Sequence, residues 1–415
     1  MNRPGWAKAG RVLEVAPFLA ALVVLPFVIP GGHFWPWKAN TMDLQVYVDA
    51  GRALLKGYDV MSLRFTDNGL SFIYPTFALL LAVPISWLPL GFLQIAFTVV
   101  SVLLVRVLLR RFGVPAGLPV AVIGTVIVLL CQPIRATLGY GQVNVMVAAF
   151  VLIDLLPGRR FGPRGVLTGI AAGIKLTPAL FGIYLLFLRR YRDAAWLFGV
   201  FAATTVVGFA ILPRESIEFW RLLVEGDTRT GAAYYLGNQS VLGAFVRLFH
   251  SYGDPGAVHY IALFVGALTA LVSCIAGAGW TRRGEGLFGL SLVGMGTLMA
   301  SPLSWTHHFV YVLPMLFALL RRRVPTELKW LGWPLFAWVF SGLVLQWLPY
   351  DQGRELRYGL FENLVSSITP ILTTVFIVIA ALTFRRYPVI EPEGDIEARE
   401  LEMVEPGRKL PQPAL

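Results

Sequence analysis

The sequence predicts an all-α polytopic membrane protein. The chain has 415 residues, of which 56% are hydrophobic and 14% charged, and its mean hydropathy is +0.67. This composition lies outside the range of soluble globular proteins and inside the membrane class. Its apolar stretches are long enough to cross a bilayer, and clusters of arginine and lysine separate them. These observations together predict one integral membrane domain over residues 1–388, followed by a polar tail at 389–415.

The positive charge of the chain follows the edges of its apolar stretches. The formal net charge is +11, and basic residues beside a span resist translocation, so each cluster marks a cytoplasmic edge. The clusters are Arg3/Lys8/Arg11, Arg106/Arg110/Arg111, Arg159/Arg160/Arg164, Arg189/Arg190/Arg192, Arg282/Arg283, Arg321 to Arg323 and Arg385/Arg386. No Lys/Arg-rich arm with interleaved aromatic residues is present, which argues against a nucleic-acid partner and in favour of membrane lipids.

Apolar runs predict about twelve spans, within a range of 10 to 13, because a span needs about 20 apolar residues. They lie at about 12–30, 73–89, 91–109, 115–132, 138–157, 166–188, 193–212, 257–280, 285–300, 306–320, 329–349 and 363–384. Two cysteines, Cys131 and Cys274, give neither a disulfide framework nor a metal-binding spacing. The acidic, proline-containing tail at 389–415 is expected to be disordered in the cytoplasm. The oligomeric state stays open.

The basic clusters orient the C-terminal half if the loops 31–72, 214–255, 301–308 and 350–362 are external. The N-terminal half is less consistent, since five crossings between 73 and 188 place Arg110/Arg111 and Arg159/Arg160 on the external side. Merging two spans, or making one a re-entrant pair, would remove the conflict.

The first external loop contains a predicted helix. Asn40 or Thr41 can cap its start, and Gly57 can end it. Apolar residues at helical spacing suit a helix that lies on the membrane surface. These residues are Leu44, Val48 and Leu55.

Asp43 stands in the first turn of this predicted helix, with Tyr47 one turn later on the same face. A carboxylate at the interface can act as a general base toward a sugar hydroxyl. Alternatively, Asp43 is a first-turn acid that the helix dipole favours. The dipole favours the ionised form, whereas a strong base benefits from desolvation. Asp49, Asp59 and Asp67 are interpreted as solvated or turn residues.

A second polar constellation, Ser-Pro-Leu-Ser-Trp-Thr-His-His at 301–308, separates two apolar segments. Adjacent histidines do not share a helix face, so a bidentate metal site at His307 and His308 is disfavoured. Three interpretations are open: a phosphate or sugar contact, structural capping, and a metal site.

Lys175, in Gly-Ile-Lys-Leu-Thr-Pro at 173–178, places a charge inside an apolar run. A partner or a water-filled cavity is expected there, unless the side chain snorkels to an interface. Other polar interruptions include Arg135, Gln142 and Asn144, Asn238 and Gln239, and Tyr74 before the second span. Together they give one candidate base and several cations, which suits a lipid-phosphate leaving group.

Six strings stand out along the chain: MDLQVY at 42–47, FIYPTFALL at 72–80, GYGQVNV at 139–145, GIKLTP at 173–178, GNQSVLGAFVRL at 237–248 and SPLSWTHHFVYVLP at 301–314. In this order they resemble the polyprenyl-phosphate-mannose-dependent mannosyltransferases of actinobacteria, glycosyltransferase family 87 of the GT-C superfamily.

The resemblance implies a GT-C fold in the plasma membrane with its active site on the extracytoplasmic side. It implies a polyprenyl-phosphate mannose donor, and a phosphatidylinositol mannoside, lipomannan or lipoarabinomannan acceptor, without a metal or another cofactor. Asp43 would be the catalytic base of a single inverting displacement that leaves an α-1,2 linkage. Residues expected to bind the substrates are Tyr47, Tyr74, Arg135, Gln142, Asn144, Lys175, Asn238, Gln239, Trp305, His307 and His308.

Several alternatives stay open. An α-1,6 phosphatidylinositol mannoside mannosyltransferase comes first, then an arabinofuranosyltransferase, and then a secondary transporter of similar size. A transporter should show paired half-repeats with broken spans at corresponding positions, and none is legible in this sequence. The chain carries no Walker A sequence, so ATP-driven transport has no support.

Overall fold

The protein is helical throughout the part of the chain that the structure describes. This structure is a computed structural model, and it describes residues 14–21, 41–67, 69–158, 161–226, 229, 231–253 and 256–389. Within these ranges there is no β-strand, and two isolated bridges pair Phe65 with Leu70 and Asn238 with Trp305. The expected disordered tail and most of the first predicted span lie outside the described residues.

The α-helices are numbered in chain order. They are α1 (Ala16–Leu19), α2 (Met42–Leu55), α3 (Thr76–Ile85), α4 (Leu90–Arg111), α5 (Leu118–Leu130), α6 (Gln132–Tyr140), α7 (Asn144–Leu155), α8 (Val166–Ile174), α9 (Leu180–Phe187), α10 (Tyr191–Ile211), α11 (Pro213–Glu225), α12 (Val241–Leu248), α13 (Ala257–Thr281), α14 (Gly286–Ala300), α15 (Val312–Leu319), α16 (Thr326–Ser341), α17 (Val344–Trp347), α18 (Leu360–Ser366) and α19 (Ile368–Thr383). Short 3-10 helices cover Thr177–Ala179, Thr306–Tyr311, Arg354–Arg357 and Phe384–Arg386.

Long apolar helices confirm a polytopic membrane protein. Four helices of the described chain are long and apolar enough to cross a bilayer, and a bent pair would make a fifth. The four are Leu90–Arg111, Tyr191–Ile211, Ala257–Thr281 and Ile368–Arg386. Shorter apolar helices of 10–17 residues fill the space between them, so the count of twelve spans stays a prediction.

Among the described residues, basic side chains from four of the seven clusters make contacts at neighbouring helix ends, and we call the surface that they share the basic face. Their side chains bridge the helix ends there. The contacts are Arg106 with Glu14, Arg111 with the carbonyl of Pro157, Arg164 with Asp193, Arg282 with the carbonyl of Phe187, Arg283 with the carbonyl of Tyr387, and Arg321 with Glu285. The end of α4 and the end of α7 therefore lie together.

The segment predicted as one span at 166–188 does not cross the molecule. Gly165, before α8, packs against the backbone of Asp193 near the start of α10, and Gly173 near the end of α8 packs against Thr204. The chain then reverses at Lys175, and α9 returns to the first turn of α10. Helices α8 and α9 form a re-entrant hairpin, because a charged residue and Pro178 interrupt the apolar run.

The predicted span at 138–157 is also divided, because α6 ends at Gly141, whose φ of +65° is left-handed, and α7 begins at Asn144. Before this break, α5 and α6 meet at Cys131 with a bend of 71°. A Cβ at Gly141 would lie 2.5 Å from the Cβ of Leu44. Glycine is required here both by the backbone conformation and by the close approach of α2.

Small residues allow the C-terminal helices to pack closely. Helix α13 lies against α14, where a Cβ at Gly277 would meet the carbonyl oxygen of Gly289 at 2.7 Å. Gly296 similarly contacts Ser273. Close backbone approach of this kind is typical of helix pairs in membranes, where apolar burial alone does not drive association.

Helix α2 confirms the helix predicted in the first loop, but its cap and its packing differ from expectation. The Thr41 side chain makes no cap hydrogen bond and instead accepts one from Gln94. Leu44 and Val48 are fully buried within the protein, where α2 packs on α3, whereas Leu55 is 54% exposed. The surface that Leu44 and Val48 form therefore faces the protein rather than a lipid surface.

Candidate active site

Two tyrosines and a glutamine form a hydrogen-bonded group at the candidate site. The Tyr47 hydroxyl donates to Oε1 of Gln142 at 2.6 Å, and Nε2 of Gln142 donates to the Tyr74 hydroxyl at 2.9 Å. The two tyrosine rings meet edge to face at 5.3 Å between centroids. Three distant segments of the chain are joined in this way, since Tyr47 lies on α2, Tyr74 precedes α3, and Gln142 follows the turn at Gly141.

Asp43 lies one helical turn before Tyr47 and is half-buried. Burial raises the pKa of its carboxyl from the ordinary 3.8 to about 6, while the charge of Lys175 and a hydrogen bond from Gln142 oppose the shift. Desolvation therefore outweighs the charge of Lys175 and the hydrogen bond from Gln142, both of which favour the ionised form. The shifted carboxyl has the properties expected of a general base that works near neutral pH.

Lys175 stands at the tip of the hairpin, where α8 ends in extended backbone. Its Nζ donates to Oδ1 of Asn144 at 2.8 Å and lies 3.3 Å from Nε2 of His308. It also lies 5.9 Å from the centre of the Tyr74 ring. The partner expected for a charge in an apolar run is therefore present, and the side chain is directed into the protein rather than to an interface.

The two histidines have different partners. They lie on the 3-10 helix Thr306–Tyr311, with their rings perpendicular at 4.7 Å. His308 faces Lys175, while the ring of His307 packs against Tyr140 at 5.0 Å. The His307 carbonyl oxygen accepts hydrogen bonds from Asn144 and Thr137. In the described residues no three His, Cys, Asp or Glu side chains form a possible metal site.

The side chains of Asn238 and Gln239 form hydrogen bonds with backbone groups. Asn238 donates to the carbonyls of Ala233 and Pro302, and its own oxygen accepts from Ser240 and Ser304. Gln239 donates to the carbonyls of Leu236 and Ser366. Both are fully buried, and they tie the loop before α12 to Trp305. Their predicted contact with substrate stays a prediction, as does that of Arg135, which is half-buried on α6.

Six of the predicted residues thus share one cluster around Asp43. Direct contacts connect the members to one another or to the carboxylate. They are Tyr47, Tyr74, Gln142, Asn144, Lys175 and His308. A second group consists of Asn238, Gln239 and Trp305, in which Asn238 and Trp305 form an isolated bridge. Along the chain Trp305 precedes His307, whereas His308 of the first group follows it.

Comparison with known proteins identifies the family. The sequence profile of glycosyltransferase family 87 matches residues 72–302, more than half of the chain. The chain belongs to glycosyltransferase family 87.

Curated relatives support the same family. A polyprenol-phosphate-mannose-dependent alpha-(1-2)-phosphatidylinositol pentamannoside mannosyltransferase of Mycolicibacterium smegmatis is 32% identical over 356 residues, covering 82% of this chain and 83% of the relative. A polyprenol-phosphate-mannose-dependent alpha-(1-2)-phosphatidylinositol mannoside mannosyltransferase of Mycobacterium tuberculosis is 31% identical over 413 residues, covering 90% of this chain and 91% of the relative. No solved structure matches the chain. The resemblance seen in the sequence is confirmed, and the protein is a membrane glycosyltransferase.

The part matched by the family 87 profile ends before the histidines and begins after Asp43. Residues 72–302 hold Tyr74, Gln142 and Lys175, whereas Asp43 joins the cluster through the contact of α2 with Gly141. Both parts are therefore needed to complete the site of this family 87 protein.

Sequence reasoning did not select two residues that shape this region. Tyr140 lies in the GYGQVNV string and contacts His307, so its position in the string was the available signal. Arg247 is fully buried and donates to the carbonyls of Tyr235 and Asn238 at 3.2 and 3.0 Å. Its side chain also donates to Ser366. Nothing local in the sequence distinguishes Arg247 from a lipid-facing basic residue.

Proposed function

We propose that this protein transfers mannose from polyprenyl-phosphate mannose to a phosphatidylinositol mannoside, with inversion, and forms an α-1,2 linkage. The names of both relatives describe such a donor, acceptor and linkage. The observation that carries the proposal is the position of a half-buried carboxyl with a raised pKa near a cation that Asn144 holds within the protein.

In the proposed reaction Asp43 accepts the proton of an acceptor mannose hydroxyl. The hydroxyl oxygen attacks the anomeric carbon of the β-linked donor from the face opposite the phosphate. The bond from this carbon to the phosphate oxygen breaks, and polyprenyl phosphate leaves with the electron pair. One displacement converts the β-linked donor into an α-mannoside.

Lys175 is the proposed contact for the leaving phosphate. Its Nζ is held by Asn144 and faces His308, so a phosphate oxygen would meet a cation that is already oriented. A preorganised cation at the position where negative charge develops stabilises the transition state without reorganisation. Phosphate is a good leaving group, so a general acid is not required.

We propose that the site opens on the extracytoplasmic side of the plasma membrane. The basic face carries the arginine clusters, which resist translocation. Gly173, two residues before Lys175, packs against Thr204, in the half of α10 that is remote from this face. A donor phosphate in the outer leaflet would reach the cluster from that side.

The test combines purified protein, labelled polyprenyl-phosphate mannose and phosphatidylinositol mannosides that differ in mannose number. The expected product carries one additional mannose that an α-1,2-specific mannosidase removes. Asp43→Asn should give a folded protein that transfers no mannose. Asp49→Asn is the matched control, since Asp49 lies on the same helix, is 33% exposed and pairs with Arg52.

Retained transfer by Asp43→Asn would refute the base assignment and move attention to Asp49. Transport of a solute without any glycosidic product would overturn the proposed function as a whole.

A further inference from the structure

A cluster of aromatic side chains lies beside the site and takes no part in the chemistry proposed above. Tyr235 meets Trp305 edge to face at 5.7 Å between ring centroids, and it meets Tyr350 at 6.0 Å. All three rings are half-buried. They come from three separate segments of the chain, so the fold assembles an aromatic surface from distant residues.

An acidic residue completes this surface. Asp351 is exposed and lies within hydrogen-bond reach of the Tyr235 hydroxyl. Burial and this hydrogen bond raise the pKa of Tyr235, so the hydroxyl stays protonated and donates to the carboxylate. One oxygen of Asp351 remains available for a ligand, since a carboxylate accepts several hydrogen bonds.

The backbone at Asp351 is held in an unusual conformation. Asp351 and the following Gln352 have φ values of +72° and +54°, a region that residues other than glycine rarely adopt. The carboxylate of Glu355, which is buried, accepts from the amide of Leu236 at 3.1 Å and from that of Asp351 at 3.3 Å. The fold therefore fixes Asp351 against the Tyr235 loop, and the backbone strain falls chiefly on Gln352, since aspartate, like asparagine, tolerates the left-handed conformation.

The aromatic surface is continuous with the catalytic cluster. Tyr140 lies within electrostatic range of both Asp43 and Asp351, and its ring packs against His307. In the Trp305 to His308 segment, His308 faces Lys175, while Trp305 faces Tyr235. The cation and the aromatic surface thus lie at opposite ends of this short segment.

The direction of attack indicates from which side of the site the acceptor approaches. In a single displacement the attacking hydroxyl and the leaving phosphate occupy opposite faces of the anomeric carbon. If the phosphate lies at Lys175, the acceptor approaches from the side of Trp305. Aromatic faces pack on the apolar face of a pyranose ring, while a carboxylate and a phenol hydroxyl bind its hydroxyl groups.

We propose that Tyr235, Trp305, Tyr350 and Asp351 form a subsite for the acceptor glycan, which holds the mannose that precedes the attacking one. This inference rests on the proposed function, because it takes a mannoside to be the acceptor. In this subsite Asp351 selects acceptors with at least two mannoses.

The test compares octyl mannoside with octyl mannobioside as acceptors for the intact protein. In Asp351→Asn the KM for the mannobioside should rise at least tenfold, while the KM for octyl mannoside and for polyprenyl-phosphate mannose changes less than twofold. Asparagine also tolerates the left-handed backbone at this position, so the variant should fold. Asp67→Asn is the matched control, an exposed aspartate of the first loop that should change no KM.

Direct binding of the mannobioside, measured by saturation-transfer NMR without donor, separates the two proposals. Binding that Asp351→Asn weakens, in a protein that transfers no mannose, would refute the proposed function and retain the subsite. Transfer with an unchanged mannobioside KM in Asp351→Asn would refute the subsite alone. An equal loss with both acceptors would also refute it, because a general structural effect would explain that result.

Discussion

The raised pKa of Asp43 predicts an acidic limb in the pH profile of mannose transfer. A shift from 3.8 to about 6 corresponds to about 3 kcal/mol in favour of the neutral carboxyl. A base must be ionised to accept the proton of the acceptor, so kcat/KM should follow the ionised fraction. This fraction is about 90% at pH 7 and about 10% at pH 5 for a group with such a pKa.

We therefore expect kcat/KM to fall about ninefold between pH 7 and pH 5, with a midpoint near the pKa of Asp43. An unshifted aspartate would lose less than about a tenth of its activity over the same interval. The assay is transfer from labelled polyprenyl-phosphate mannose at subsaturating substrate, with the protein returned to pH 7 afterwards to show that the loss is reversible. A flat profile down to pH 5 would refute the assignment.

Substitutions at Lys175 test the same prediction through the midpoint of the pH profile. Its positive charge lowers the pKa of Asp43, so Lys175→Met should move the midpoint to higher pH in addition to slowing transfer. Lys175→Arg keeps the charge and should keep the midpoint close to that of the native protein. A slower Lys175→Met variant with an unmoved midpoint would show that the two groups are not coupled.

Three further outcomes are expected. Between pH 3.8 and about 6 the folded state binds more protons at Asp43 than the unfolded state does, so this carboxyl contributes stability at low pH that is lost as the pH rises through 6. Asp43→Asn should consequently melt at the same or a higher temperature than the native protein at pH 7. Arg247→Met should lower the free energy of unfolding by about 3 kcal/mol, because it leaves several buried carbonyl groups without a donor. Gly141→Ala should reduce kcat/KM about tenfold or more and lower the melting temperature, because its Cβ would displace Leu44 beside the base.

Matched variants separate these effects from general damage. Arg221→Met removes an exposed arginine that pairs with Glu218 and Glu225 on α11, and it should leave the melting temperature unchanged. Gly57→Ala introduces a Cβ at a φ of +75° into open space, so it should cost about 1 kcal/mol of backbone strain without loss of kcat/KM. Equal effects of Gly57→Ala and Gly141→Ala on transfer would contradict the packing argument.

Residues that interrupt apolar runs were the most reliable guide to the site. Lys175, Asn144 and His308 each break a hydrophobic stretch, and the fold brings all three together. The physical reason is general, since polar groups inside a membrane protein require partners and therefore find one another. Helix α2 could be predicted for a similar reason, because its apolar spacing and the closing Gly57 are local signals.

The path of the chain between these residues could not be predicted in the same way. Hydropathy reports whether a segment is apolar but not whether it crosses or returns, and the hairpin of α8 and α9 has the composition of one span. Asn238 was placed among binding residues because it is polar; its partners in the structure are backbone groups, and its contact with substrate stays a prediction. The pairing of Tyr235 with Asp351 joins residues more than a hundred positions apart, and no local pattern indicates it.

The hairpin of α8 and α9 has a consequence for how the protein is made. Helix α8 has 9 residues, and α9 has 8 after a 3-10 turn of 3, whereas about 20 are needed to insert a helix across a bilayer independently. The hairpin must therefore enter against helices that are already in place, chiefly α10, whose backbone receives Gly165 and Gly169. Because Lys175 is carried on its tip, we expect the candidate site to be completed late in biogenesis, after the neighbouring spans have been inserted.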